Sequence, residues 1–100
     1  MKFVIKGPFK DNVYNLMREV GYYILEKNEK TGEMNLIRPM RGGGYPRFHL
    51  FSKMEGGNFI FDLHLDQKKP SYKGSAAHSG EYDGELVEKE AERIKEIIYQ

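Results

Sequence analysis

The chain contains no cysteine among its 100 residues. Disulfides and thiolate-held zinc are therefore excluded, and any metal site has to draw on imidazole and carboxylate. No apolar run approaches the roughly 20 residues a membrane-spanning helix needs. The opening MKFVIKGPF lacks the apolar stretch of a secretory signal. These two absences lead to the expectation of a cytoplasmic protein with no membrane partner. No Ser–His–Asp nucleophile pattern and no zinc-type ligand spacing is recognisable. Neither sign of charge is in large excess, with a formal net charge of only +1.

What is present suits a single domain, residues 1–100, with a modest core. It is 39% hydrophobic and 31% charged, an ordinary balance for a globular chain. The charge is uneven. Residues 38–73 carry seven Lys/Arg against three Asp/Glu, while residues 74–100 carry three against seven. A basic middle is the part that could meet an anionic ligand.

The most informative stretch is residues 46–67, PRFHLFSKMEGGNFIFDLHLDQ. It reads as two strands joined at Gly56-Gly57, because glycine accepts the positive φ angles of a two-residue turn. That turn sets Glu55 opposite Asn58 and fixes the remaining pairs. Phe48 meets Leu65, Leu50 meets Leu63, Ser52 meets Phe61 and Met54 meets Phe59. Side chains alternate along a strand, so these pairs share one face, which is apolar and has to be buried. The opposite face pairs Arg47 with Asp66, His49 with His64, Phe51 with Asp62 and Lys53 with Ile60. Two of the three histidines in the chain are thus expected to face each other beside an Arg–Asp pair.

Along the chain, residues 2–6 predict a strand ended by Gly7-Pro8. Asp11 is a candidate helix cap, and Val13, Leu16, Met17 and Val20 recur at helical spacing, predicting a helix over 11–20 that stops at Gly21. Residues 22–27 and 33–38 predict a first hairpin. Residues 40–45, MRGGGY, read as a flexible connector, with Arg41 near any anion bound there. Residues 67–84 form a long connection bearing Tyr72, His78, Glu81 and Tyr82. Segments 72–83 are expected to be ordered across the open sheet face. Residues 85–99 predict a final helix capped by Asp83 or Gly84, with Leu86 or Val87, Ala91, Ile94, Ile97 and Ile98 as its apolar stripe. The order predicts an α+β domain with an antiparallel sheet of four or five strands, two hairpins, and both helices on one face.

The histidine-bearing face supports more than one chemistry. His49, His64, Asp66, His78 and Glu81 are candidate ligands for a divalent metal such as zinc. Facing residues on paired strands have Cβ atoms roughly 4.5–5.5 Å apart. Without metal, His49, His64 and His78 are candidate catalytic acid–base groups, because imidazole titrates near neutrality. Arg41, Arg47, Lys53, Lys68 and Lys69 are candidate phosphate contacts. Phe51, Tyr45 and Tyr72 could stack on bases.

The run LMREVGYYILEK, then FHLF, a glycine turn, FIFDLHLD and a closing helix resembles the small HicA-type toxin ribonucleases. The resemblance covers residues 11–25 and 47–98. It implies a fold like the double-stranded-RNA-binding domain and sets His49 and His64 where that family carries histidines. The leading expectation is therefore RNA or polyanion binding on the open face, with a metal-independent ribonuclease using His49 and His64 and no cofactor. A divalent-metal protein and a non-catalytic protein-binding module are the alternatives.

Overall fold

A computed structural model describes residues 1–67, 80–81 and 84–100. The elements run β1 (Lys2–Ile5), α1 (Val13–Val20), β2 (Tyr23–Lys27), β3 (Met34–Pro39), β4 (Arg47–Glu55), β5 (Asn58–Asp66), β6 (Gly80–Glu81) and α2 (Glu85–Ile98). All described strand pairings are antiparallel, in the order β1-β5-β4-β3-β2, with the short β6 also joined to β5. The protein is an α+β domain with its helices packed against the sheet. No described helix is long and apolar enough to cross a membrane.

The β4–β5 hairpin forms in the expected register from Arg47–Asp66 through Glu55–Asn58. Gly56 and Gly57 turn the chain with φ of 58° and 81°. A one-residue slip would expose Phe59, Phe61, Leu63 and Leu65 together, so burial of this face holds the register. All four are buried, with Phe48 and Leu50 beside them. On its outer edge β5 pairs with β1 through residues 59–62 and with β6 through residues 65–66. The histidine-bearing hairpin is thus at the interior of the sheet, between β3 and β1/β6.

α1 starts later than expected. Its N-cap is Asn12, whose side chain accepts from the Asn15 amide at 2.9 Å. Asp11 lies one residue too early to reach that third helical position. Its carboxylate accepts instead from the Asn12 amide and from Asn15 Nδ2, and these bonds hold its pKa below the usual range. Gly21 closes the helix at φ 90°, with its amide bonded to the Arg18 carbonyl. α2 begins after Gly84 with no side-chain cap bond. Val87, rather than the exposed Leu86, joins Ala91, Ile94 and Ile98 in the core.

One polar group is buried with them. Glu90 accepts from Tyr22 Oη at 2.8 Å and from Arg93 Nε at 2.8 Å, with Arg38 at 3.4 Å. Arg93 also donates to the Val20 carbonyl at the end of α1. This knot ties α2 to the C-terminus of α1 and to β3. Tyr22 precedes β2, instead of opening the strand, because its ring is buried and its hydroxyl is committed to Glu90.

Candidate functional site

Among the described residues, the helices cover one face of the sheet and not the other. On that open face, strand alternation brings Arg47, His49 and Phe51 of β4 beside Asp62, His64 and Asp66 of β5. β3 adds Asn35, opposite Phe51, and Ile37, opposite His49.

His49 and His64 face each other with ring centroids 4.7 Å apart. Asp66 reaches both. Its Oδ1 lies 2.9 Å from His64 Nε2 and its Oδ2 lies 3.4 Å from His49 Nδ1. The three ligand-capable atoms of His49, His64 and Asp66 all lie within 4.8 Å of one another. Arg47 Nε donates to Asp66 Oδ2 at 3.2 Å, and the guanidinium lies over the Tyr45 ring at 4.7 Å from its centroid. On the far side, His49 Nε2 contacts Asn35 Oδ1. Phe51 stacks against His49 at 4.7 Å and is itself about half exposed.

His64 is buried, while His49, Asp66 and Arg47 are partly covered. Burial is the largest influence on His49 and lowers its pKa. The neighbouring His64 lowers it further, and Asp66 offsets part of the shift. The His49 Nε2 meets Asn35 Oδ1 and its Nδ1 faces Asp66 Oδ2.

The remaining sequence candidates separate from this cluster. Lys53 lies along β4 from the histidines and pairs with Glu55 at 3.1 Å. Arg41 is exposed in the β3–β4 connection and makes no ion pair among the described residues. Lys68, Lys69, Tyr72, His78 and Tyr82 lie outside the described residues, as does the expected course of 72–83 apart from Gly80–Glu81. Glu81 is described in its backbone alone, where it pairs with Leu65.

One contributor was not singled out from the sequence. Asn35 depends on the β3–β4 register, which no tight turn specifies. Tyr45, expected as a base-stacking residue, lies under the Arg47 guanidinium. Beyond Phe51 and Asn35 the open face continues into a groove of about 550 Å³, lined also by Lys2, Lys53, Ile60 and Asp62. No family model, curated protein or solved structure matches this chain.

Proposed function

We propose that the open face is a divalent transition-metal site with His49, His64 and Asp66 as ligands. The observation that carries the reading is the convergence of two imidazole nitrogens and a carboxylate oxygen within 4.8 Å. Tetrahedral zinc holds such ligands at about 2.0–2.2 Å from the ion, so neighbouring ligand atoms sit close together. His49 Nδ1 and Asp66 Oδ2 lie 3.4 Å apart, and a cation between them would be held by both. Asn35 supplies the outer hydrogen bond that fixes a ligating ring's tautomer and orientation. All three ligands stand on paired interior strands, which suits a site of fixed geometry. Among the described residues three ligands converge, which leaves coordination positions for a further group.

The test is titration of untagged, chelator-stripped protein with Co²⁺, read by its visible absorption. One equivalent should bind with a spectrum typical of four- or five-coordination. His49→Ala and His64→Ala should abolish that spectrum while far-ultraviolet circular dichroism stays unchanged. Asn35→Ala should weaken binding by about 10- to 100-fold, the usual cost of losing an outer-shell partner. A spectrum that remains that of the aqueous ion in the parent protein removes the reading.

A second reading is favoured by the close imidazole pair and the adjacent Arg47. Two histidines 4.7 Å apart can act as acid and base in metal-free RNA cleavage through the 2′-hydroxyl, as the HicA resemblance implies. Its support is weaker on the charge side. Arg47 and Lys53 both carry carboxylate partners, and Asp62 and Asp66 share their face. RNA cleavage that persists in excess chelator and is lost in His49→Ala would favour this reading over the metal.

A further inference from the structure

Arg47 is held in a manner that the metal reading does not require. Its Nε is bound to Asp66 and its guanidinium plane rests on Tyr45. Among the described residues, its two terminal amino groups have no carboxylate partner. The fork is therefore fixed at its base and uncommitted at its tip, next to the atoms that converge from His49, His64 and Asp66. From this end of the site the open face runs past Phe51 into the groove lined by Asn35, Lys53, Ile60 and Lys2.

We infer that this site takes a phosphoester, with a phosphoryl oxygen in the open coordination position, the Arg47 amino groups on a second oxygen, and a ring-bearing organic part laid over Phe51 into the groove. The inference rests on the metal reading of His49, His64 and Asp66. Three features argue for it. A planar fork with two parallel N–H groups matches a tetrahedral oxyanion and holds it more tightly than a point charge does. A bound cation turns the local charge of the site positive, since it outweighs the single carboxylate of Asp66. Arg47, His49 and Phe51 lie at alternate positions of one strand, so fork, metal and aromatic surface follow one line about 3.4 Å per residue apart. The groove carries both signs of charge, with Lys2 and Lys53 against Glu26, Glu33, Glu55 and Asp62, so it suits the organic part of a phosphoester better than a second phosphate.

The experiment uses the full chain loaded with one equivalent of Co²⁺. Methylphosphonate and phenylphosphonate serve as probes, because both resist hydrolysis. Each should perturb the cobalt absorption in a saturable way, and phenylphosphonate should bind more tightly. Arg47→Lys keeps the positive charge beside Asp66 but loses the fork. At saturating cobalt it should weaken both phosphonates by about 10- to 100-fold, the range for lost charge-assisted hydrogen bonds. Phe51→Ala should erase the preference for the phenyl probe and leave methylphosphonate binding intact. Normal cobalt loading with no phosphonate effect overturns this inference and leaves the metal site standing. Unchanged phosphonate affinity in Arg47→Lys overturns it equally. A parent protein that takes up no cobalt removes the metal reading and this inference with it.

Discussion

Replacing Glu90 by alanine removes the acceptor at the centre of the α1–α2 knot. The carboxylate is 4% exposed and receives four contacts, from Tyr22 Oη, Arg93 Nε and Nη2, and Arg38 Nη1. Its loss acts unequally on these partners. Tyr22 is 5% exposed, so its hydroxyl is left buried without an acceptor, at a cost of about 1–3 kcal/mol. Arg38 and Arg93 are each about one-third exposed and regain water. Their shared charge interaction is therefore discounted to roughly 1 kcal/mol, the upper range for solvent-accessible pairs. The cavity left by the side chain adds to this, and the total is about 3–4 kcal/mol, within the range for breaking a buried pair from one side. That is a large part of the roughly 5–15 kcal/mol that holds a domain of this size folded. Urea denaturation followed by circular dichroism measures it directly. Glu90→Gln keeps an acceptor for Tyr22 and should lose only about half as much. Tyr22→Phe combined with Glu90→Ala should cost less than the sum of the two, because the orphaned hydroxyl is gone. A Glu90→Ala loss below about 1 kcal/mol, the average for any substitution, would refute the reasoning.

Two further outcomes follow from the fold. Phe61→Ala should destabilise by about 3–5 kcal/mol in the same assay, because its ring is fully buried against Phe3 and Phe59 at 5.5 and 5.2 Å; a loss near 1 kcal/mol would mean that the site collapses without a cavity. Tyr22 sets an alkaline limit. Burial, then the Glu90 charge and hydrogen bond, raise its pKa far above the ordinary 10.0. The folded state keeps a proton that the unfolded chain loses, so the stability from this group is complete below pH 10 and falls as pH rises beyond it. Tyrosinate absorbance should show one residue that ionises only on unfolding, and Tyr22→Phe should flatten the alkaline decline. Equal decline in both proteins would contradict the assignment.

The β4–β5 hairpin was legible from the sequence because local rules over-determine it. Two adjacent glycines define the turn, a period of two defines the faces, and an almost wholly apolar face leaves one register. The facing pair His49–His64 and the Arg47–Asp66 pair follow from that register alone. The helical stripes were legible for the same reason, as a repeat of three and four residues. Glu90 in fact stands on that stripe, between Val87 and Ala91. Its burial was not read because a carboxylate is buried only when partners are present, and here Tyr22 and Arg38 come from two other places in the chain and Arg93 from the next turn.

Tertiary structure alone decided the rest. Helix α1 is capped by Asn12 and not Asp11 because the cap is chosen by reach to one amide, which differs by a single residue. Asn35 came to His49 through a pairing between β3 and β4 whose connection specifies no register. Asp66 meets both histidines because the side chains lean along the strand, a direction that pairing rules do not contain. Sequence therefore determined which residues share a face, since that follows from backbone period. It could not determine which of their atoms converge, since that depends on twist, on rotamers and on neighbours distant in the chain.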